Sequence, residues 1–155
     1  MRAPDITLNR QDGTSYLLRW HVIPRNKRFN IYLHKFLGSD DDRALHDHPW
    51  WFVSILLKGR YWEHREDGSR NLRKAPSIAF RQATTAHRVE LDRGLVKIWE
   101  SPLADGGKAV GLQHQDLPAT TLIITGPKVR SWGFHCPNGW KHWRKFINHN
   151  GCGEK

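Results

Sequence analysis

The sequence predicts an all-β fold in which sheets pack face to face as a double-layered barrel. Runs of alternating apolar and polar residues follow one another along the chain, and segments bearing glycine or proline separate them. In the run from residue 50 to 58, a strand would carry bulky side chains on both faces, which indicates that both sides of its sheet are covered. The length of 155 residues favours one domain over residues 1–155, since a single core can serve a chain of that size.

The composition excludes two broad classes of protein. Charged residues make up 26% of the chain and hydrophobic residues 38%, unlike disordered or membrane-spanning chains. No apolar run approaches the ~20 residues that a helix needs to cross a bilayer, and the N-terminus lacks the apolar core of a signal peptide. The two cysteines, Cys136 and Cys152, make no disulfide framework. We therefore expect a cytoplasmic protein without a membrane partner.

Positive charge is concentrated near the C-terminus. The net charge is +10, and residues 128–155 supply half of it, with six basic residues against one acidic residue. Such a basic tail could support salt-dependent binding of nucleic acid, because it raises the local concentration of anions. It could equally be a solvated surface that keeps a small protein soluble, and the sequence leaves both interpretations open.

Two strands are predicted in the N-terminal part, from Ser15 to Ile23 and from Phe29 to Leu37. In the second strand Tyr32 and His34 share one face, and alternation alone does not decide whether that face is inward. His34 could enter the cavity as a ligand or hydrogen-bond donor, or it could cap the edge of the core. The aspartates at 40–42 are adjacent and point in different directions, so we interpret them as a solvated entrance to the next strand rather than a calcium loop.

The stretch from Ala44 to Glu63 carries the first site prediction. Residues two apart on a strand point to the same face, so in His46-Asp47-His48 the two imidazoles would share one space while Asp47 turns away. A third nitrogen ligand could come from His87, which lies on the apolar face of a later strand. Two histidines on a rigid strand are a common start for a metal site, although His87 taken alone could be a satisfied core residue.

The same strand phase predicts the walls of a pocket. If the two histidines face inward, Trp50, Phe52 and Ser54 face inward as well. Aromatic walls beside a few polar groups are typical of a small-molecule site. We therefore place these three residues, together with His34, in the predicted pocket.

The next strand offers two alternatives. Tyr61 and Glu63 share one face, and Trp62 and His64 share the other. If the first pair faces inward, Glu63 could supply a carboxylate that supports a ligand or moves a proton. If the second pair does, His64 could act as a ligand instead.

These residues resemble the two-part signature of the cupin family. The first cupin motif is G-x5-H-x-H-x3,4-E-x6-G, and residues 44–63 match its two histidines with His46 and His48 and its closing glycine with Gly59. The second motif places a lone histidine on a later strand, and within residues 75–91 His87 matches it. Phe52 stands where the first motif has its metal-binding glutamate. The strings SDDDRALHDHPWWF and WGFHCPNGW look like those of short single-domain cupins from bacteria and their phages.

The resemblance implies a fold and a chemistry. Cupins are double-stranded β-helices, the RmlC-like jelly roll, and their three-histidine members hold a divalent ion, often iron(II), in dioxygenases of small molecules. By resemblance, His46, His48 and His87 would bind the ion, with Fe(II) favoured and zinc, manganese, nickel or copper open. Glu63 or Tyr61 would handle protons. A non-redox cupin, either an isomerase or a sugar-binding module, remains an alternative. A phage nucleic-acid-associated accessory protein is another, and the chain could form a homodimer.

The C-terminal part is predicted to contain two strands, a loop and a helix. The strands run from Val96 to Ser101 and from Thr120 to Thr125, with a polar loop over residues 104–117 between them. Residues 138–148 predict a helix, because apolar residues at 140, 143, 146 and 147 form one helical stripe. This stripe would dock on the barrel, or its aromatic residues would form a platform for bases. No role is assigned to the adjacent pair His135 and Cys136.

Overall fold

The structure is a computed structural model that describes residues 2–10, 12–40, 44–148 and 151–152. Within these residues nearly all regular structure is β-strand, and one short helix follows the last strand. The elements in chain order are β1 Ile6–Asn9, β2 Ser15–His21, β3 Asn30–Phe36, β4 Leu45–His46, β5 Phe52–Lys58, β6 Arg60–Arg65, β7 Arg70–Lys74, β8 Ser77–Arg81, β9 His87–Leu91, β10 Arg93–Pro102, β11 Lys108–Asp116, β12 Ala119–Thr125, β13 Gly133–Cys136, β14 Gly139–His142 and α1 Trp143–Asn148.

The strands of the barrel form two antiparallel six-stranded sheets. Sheet A has the order β1-β2-β3-β12-β5-β8, and sheet B has the order β14-β13-β4-β9-β6-β7. Strands distant in sequence are neighbours in both sheets, as where β12 lies between β3 and β5, because the chain passes repeatedly from one sheet to the other. β10 and β11 pair only with each other and form a hairpin, here called the arm. The predicted all-β double-layered fold is confirmed.

The pattern of burial identifies the inner faces of the two sheets. On sheet A, Tyr32, His34 and Phe52 are buried, so the face of β3 that alternation left undecided is the inner one. On sheet B, Tyr61 and Glu63 are buried, and Trp62 and His64 therefore lie on the outer side of β6. A core cluster joins both inner faces and consists of Leu56, Tyr61, Val89, Leu91 and Ala119.

The predicted single strand through the histidine motif is wrong. It divides into β4 in sheet B and β5 in sheet A, with an irregular segment between them. In that segment the backbone N–H of Asp47 donates to Gly133 and that of His48 donates to Ala83, so neither continues a strand into β5. The next residue, Pro49, has no N–H to donate. The segment is therefore a crossing between the two sheets.

The predicted alternation of inward and outward side chains holds within β5, where Phe52, Ser54 and Leu56 are buried on the inner face. The expectation that the outer face is also covered is wrong for this part of sheet A. Trp51 is 38% exposed and Leu57 is 50% exposed. The bulk of these side chains was a misleading signal, because apolar residues can also form an exposed patch.

The arm replaces the polar loop that the sequence predicted over residues 104–117. β11 pairs with β10 along its whole length, around a turn in which the N–H of Leu103 donates to the carbonyl of Gly107. Gly106 occupies that turn with a φ of 84°, a conformation that favours glycine. The alternation in β11 is weak because glutamines and a histidine interrupt its apolar residues, which concealed the strand.

The C-terminal helix is shorter than predicted. α1 begins at Trp143, because the residues before it turn back as β14 and pair with β13. The expected docking of the helix is confirmed for two of its aromatic rings. Trp143 stacks on Trp132 with ring centroids 5.8 Å apart, and Phe146 stacks on Phe134 at 3.7 Å.

A disulfide joins Cys136 on β13 to Cys152. Two cysteines predicted no disulfide framework, and this bond corrects that expectation. The carbonyl of Phe146 accepts a hydrogen bond from the backbone of Gly151, and the carbonyl of Gly151 accepts one from Lys141. These contacts return the chain after α1 toward β13. Among the described residues, no helix is long and apolar enough to cross a bilayer.

Candidate metal centre

Three histidines converge inside the barrel on the inner side of sheet B. His46 lies on β4 and pairs directly with His87, the first residue of β9, while His48 lies in the crossing segment. Every pair of the three ring centroids is 5.1 Å apart. Each ring offers one nitrogen, and these nitrogens all lie within 4.8 Å of one another. The structure therefore brings the three predicted ligands to one point.

The spacing of the ring nitrogens suits a divalent ion. Nε2 of His48 and Nε2 of His87 are 2.9 Å apart. Two imidazole nitrogens bound at about 2.1 Å to neighbouring positions of one octahedral ion would be separated by about 3 Å. Imidazole nitrogen is a good ligand for zinc, copper, iron and nickel. The donor set thus fits a metal ion without rearrangement of this pair.

A buried ion pair lies behind His87. Nδ1 of His87 is 2.8 Å from a carboxylate oxygen of Glu63, and Arg81 donates from Nε at 3.0 Å and from a terminal nitrogen to the same carboxylate. Burial opposes the ionisation of Glu63, but these hydrogen bonds outweigh it and lower the pKa of Glu63 to about 2. The ionised carboxylate accepts a hydrogen bond from Nδ1–H of His87, and in the tautomer that carries its proton on Nδ1 the lone pair lies on Nε2, facing His48.

The other two histidines are neutral at neutral pH. Burial lowers the pKa of His46 to about 4, even though the nearby carboxylate of Asp40 opposes the shift. Burial, followed by the charges of His87 and His46, lowers the pKa of His48 well below its usual value. Neutral imidazole is the form that binds a metal. Nδ1 of His46 is buried without a hydrogen-bond partner in the described part of the chain.

Asp40 borders the site rather than the solvent. Its carboxylate lies 4.0 Å from Nδ1 of His46 and accepts a hydrogen bond from the backbone of Val89 at 2.7 Å. Only 9% of its side chain is exposed, so the prediction of a solvated entrance is wrong for this residue. The other two aspartates of the run, at 41 and 42, lie outside the described residues.

Comparison with known proteins rests on structure, because no protein-family model and no curated protein matches the chain. An uncharacterized conserved protein with a double-stranded β-helix domain from Klebsiella pneumoniae has a TM-score of 0.51 and 14% identity, over 86% of this chain and 95% of that one. DMSP lyase DddQ from Ruegeria pomeroyi has a TM-score of 0.55 and 11% identity, over 90% and 61%. Iron(II) HppE has a TM-score of 0.51 and 12% identity, over 81% and 59%.

These identities are low, so the likeness concerns the fold. The two facing six-stranded sheets have the alternating strand order of the double-stranded β-helix. The chain has the cupin fold. The cupin barrel places its histidines at the positions that the motif resemblance indicated, on β4, in the segment after it and on β9.

Aromatic rings surround the histidines of the cupin barrel. The ring of Phe52, which stands at the place of the usual cupin glutamate, lies 4.6 Å from the ring of His48 and 5.7 Å from that of His87. Trp132 and Phe134 lie 6.4 and 6.0 Å from His46 on the other side. Sequence reasoning missed these last two rings, because only the pairing of β13 with β4 brings them to the site.

Asp47 turns away from the other two motif residues, as the alternation predicted, but it is buried rather than solvated. It is 1% exposed, and its carboxylate accepts hydrogen bonds from the backbone of Gly133, from Nε1 of Trp140 and from His135. An ion pair with Arg130 at 2.9 Å completes this set. Asp47 thereby fixes β13 and β14 to the backbone that carries the ligand histidines.

Three predicted pocket and proton-transfer residues contact groups other than the three histidines. Ser54 accepts a hydrogen bond from Arg73 at 3.3 Å, and the hydroxyl of Tyr61 accepts one from the same side chain at 2.7 Å. Tyr61 belongs to the core cluster, and burial raises the pKa of its phenol. Trp50 is half-buried, and its ring lies 6.4 Å from that of Tyr32.

The remaining candidate ligands also have other partners. His34 is buried on the inner face of sheet A, where its Nε2 accepts a hydrogen bond from Nε of Arg19 at 2.8 Å. His64 faces outward and lies 2.6 Å from Glu90. Among the described residues, neither joins the group of three histidines. A surface cavity of about 610 Å³ lies elsewhere, beside Trp20 on the outer face of sheet A.

Proposed function

We propose that the chain is a metal-dependent small-molecule enzyme of the three-histidine type, with iron(II) as the favoured ion and oxygenation as the favoured reaction. One observation carries the proposal: His46, His48 and His87 converge with one nitrogen each, and no carboxylate of the described residues belongs to their group. An uncharged ligand set leaves the charge of a divalent ion uncompensated, so the ion remains a strong Lewis acid. Iron(II) held in this way would offer open positions to a substrate and to O₂.

The residues of the chain would prepare this site in three ways. Glu63 holds His87 in the tautomer that presents Nε2, and its ion pair with Arg81 keeps the carboxylate charged. Phe52 would exclude bulk water from the open side of the ion, since its ring contacts two of the three histidines. Because the carboxylate of Glu63 is occupied by its contacts with His87 and Arg81, we assign it a positioning role rather than proton transfer. The proton-handling role proposed for Tyr61 has no support from its contacts with Arg73.

A non-redox reaction is the second candidate. Proteins of similar fold include one named DMSP lyase and one named iron(II) HppE, and the fold alone does not determine which reaction is catalysed.

A nucleic-acid partner gains no specific support from the basic tail. Lys141 donates a hydrogen bond to the carbonyl of Gly151, and Arg144 lies over the ring of Trp143.

The cytoplasmic setting stays a prediction, and a disulfide such as the one between the two cysteines is uncommon in that compartment.

Metal content and O₂ consumption test the proposal together. Protein purified without an affinity tag is loaded anaerobically with Fe(II), and O₂ uptake is measured with small thiols and diketones. We expect one equivalent of metal, lost in the variant His87→Ala and retained in His64→Ala, which removes an outward-facing histidine. Metal binding without O₂ uptake for any candidate favours the non-redox alternative. Equal metal content in the two variants would overturn the three-histidine site.

A further inference from the structure

The inner face of sheet A carries a cation without a carboxylate partner. Arg19 on β2 faces His34 across the β2–β3 ladder, and its guanidinium carbon lies 4.8 Å from the ring centroid of Tyr32. Tyr32 and His34 are both buried on the inner face. No carboxylate of the described residues lies among the groups that act on Arg19, and burial is the largest influence on its pKa, which it lowers.

The other two arginines of the barrel interior differ from Arg19 in their partners. Arg81 forms an ion pair with Glu63. Arg73 directs both terminal nitrogens to neutral acceptors on Ser54, Tyr61 and Ser77. Arg19 uses Nε for His34, and in the described part of the chain no hydrogen bond occupies its terminal nitrogens. A guanidinium with both terminal nitrogens available is suited to a bidentate contact with a carboxylate.

A second polar group on the same inner face lacks a hydrogen-bond partner among the described residues. Thr121 on β12 pairs with His34 on β3, so Arg19, His34 and Thr121 form one row across the inner face. Thr121 is 1% exposed, and its hydroxyl has no hydrogen-bond partner among the described residues. Buried hydroxyls are nearly always satisfied in proteins, and an exception requires an explanation such as a ligand.

The row and Phe52 lie on the same inner face of sheet A, in which β12 is the strand between β3 and β5. The ring of Phe52 lies 4.6 Å from that of His48, so this face borders the histidine group. Trp50 adjoins the same row, because its ring lies 6.4 Å from that of Tyr32, over which Arg19 is placed. A small molecule could therefore contact the row with one end and the histidine group with the other.

We propose that Arg19 and Thr121 bind the anionic end group of the substrate, and that the substrate is a small carboxylate. The guanidinium would donate two hydrogen bonds to the carboxylate, and the hydroxyl of Thr121 would donate a third. His34 holds Nε of Arg19 and thereby fixes the direction of the guanidinium. This inference rests on the proposed metal site, since the other end of the molecule would bind there.

The test compares a series of mercaptocarboxylates of increasing chain length with the amides of the same acids. Both probes present a thiol to Co(II)-loaded protein, and their affinities are read from the visible spectrum of the ion. We expect the wild-type protein to bind the best carboxylate about ten-fold more tightly than its amide. Arg19→Gln should remove this preference, and Thr121→Val should reduce it. Arg60→Gln, which alters an exposed arginine paired with Asp92, is the control and should retain it.

The outcomes separate this inference from the proposed function. The same probes are titrated calorimetrically into metal-free protein, so that the preference can be measured without the ion. No preference for the carboxylate in either form of the wild-type protein overturns the anion site, whatever the ion does. Failure of Co(II) to bind, with the preference retained in the metal-free protein, overturns the metal site and leaves the anion site standing. A preference retained in both Arg19→Gln and Thr121→Val overturns the assignment to these residues.

The arm carries an independent inference about assembly. It contacts the barrel through its base, where the backbone of Leu117 donates to Asp92, and a two-stranded hairpin alone is marginally stable in water. Five of its large apolar side chains are 44–58% exposed, namely Leu95, Ile98, Trp99, Val110 and Leu112. A second apolar surface lies on the outer side of sheet A, where Trp51, Leu57, Ile78 and Phe80 are 38–71% exposed.

Charge and area favour a second copy of this chain as the occupant. Residues 93–116 contain three basic and three acidic residues, so the arm has no net charge in a chain of net charge +10. A neutral arm neither repels another copy nor attracts nucleic acid. Leu95, Val110 and Leu112 share one face of the arm, whereas Trp99 pairs with Gly111 on the other face. With about 200 Å² for a large side chain, these three and the four of sheet A present roughly 700 Å² when half exposed. A standard interface buries about 800 Å² from each partner.

We infer that the arm of one copy packs on the outer face of β5 and β8 of a second copy, and that the contact is reciprocal. Light scattering after size exclusion measures the mass of the wild-type protein and of three variants. We expect a dimer for the wild-type protein and monomers for Leu112→Glu and Ile78→Glu. Val129→Glu alters an apolar residue that is 68% exposed elsewhere and should remain a dimer. A monomeric wild-type protein, or a dimer that survives Ile78→Glu, overturns the inference.

Discussion

Glu63 accepts a hydrogen bond from Nδ1 of His87 at 2.8 Å, and Nε2 of the same ring lies 2.9 Å from Nε2 of His48. The two contacts are on opposite sides of one imidazole. A carboxylate at Nδ1 therefore fixes the tautomer and direction of the nitrogen that would bind a metal. Glu63 is itself held by Arg81, so the direction of the ligand is determined by the folded barrel before any ion arrives.

The first prediction concerns this carboxylate. Glu63→Gln keeps the shape of the side chain but removes the charge that holds His87 and Arg81. We expect a 10- to 100-fold loss of metal affinity, because the ligand is no longer oriented. We also expect a loss of about 3 kcal/mol in the free energy of unfolding, because Arg81 is left without its buried partner. Metal titration and urea unfolding measure the two effects.

A matched substitution on the same sheet provides the control. Glu90 lies on the outer face and contacts His64 and Arg70, so Glu90→Gln should leave metal affinity unchanged. Equal metal affinities for the Glu63 and Glu90 variants would contradict the positioning role of Glu63.

The second prediction separates metal binding from folding. His48→Ala should abolish metal binding and leave the barrel folded, because the core rests on apolar residues such as Leu56 and Leu91. The loss of stability should be small beyond the contribution of bound metal. Circular dichroism and metal analysis are compared with those of His64→Ala, which should bind metal normally. A metal-free wild-type protein that is unfolded at room temperature would show instead that the metal is structural.

The fold was predictable where local alternation is strong. The alternation of Phe52, Ser54 and Leu56 identified the inner face of β5, and that of His87, Val89 and Leu91 did the same for β9. The crossing between β4 and β5 was not predictable, because it depends on hydrogen bonds to Gly133 and Ala83, which are distant in sequence. For the same reason no local pattern indicated that Trp132 and Phe134 flank His46.

The site was predictable in its ligands but not in its surroundings. The spacing of His46 and His48 and the motif position of His87 were sufficient to group them. The pairing of Glu63 with Arg81 joins β6 to β8 across the two sheets, and only the folded barrel shows it. Arg19 gave no signal either, since its neighbours His34 and Thr121 come from other strands.

The third prediction concerns Phe52. Its ring lies beside His48 and His87 at the place where the cupin motif has a glutamate. Phe52→Glu should add an anionic ligand, raise the affinity for the divalent ion and suppress O₂ consumption by occupying an open position. Val53→Glu, one residue along on the outer face of β5, is the control and should change neither quantity. Equal metal affinity in the Phe52 variant and the wild-type protein would place residue 52 beyond the reach of the ion.

The fourth prediction concerns the stability of the metal-free protein in acid. Burial lowers the pKa of His46 to about 4 and that of His48 well below its usual value, whereas in the unfolded chain both return to about 6.5. Unfolding therefore takes up protons between pH 6.5 and about 4, and stability falls as the pH decreases through this range. His46 alone should lower the free energy of unfolding by about 2 kcal/mol between pH 7.5 and pH 5. Urea unfolding at the two pH values measures the loss, which should be smaller in His46→Asn. Equal stability at both would contradict the buried neutral imidazoles.

The central claim is that three neutral imidazoles form the protein part of a metal site. A crystal structure of metal-loaded protein, purified without an affinity tag and measured across the absorption edge of the ion, tests it most directly. We predict one anomalous peak with nitrogens of His46, His48 and His87 at about 2.0–2.2 Å. The carboxylate of Glu63 should still accept a hydrogen bond from Nδ1 of His87. A peak ligated by the carboxylate of Glu63, or located away from the three rings, would contradict the claim.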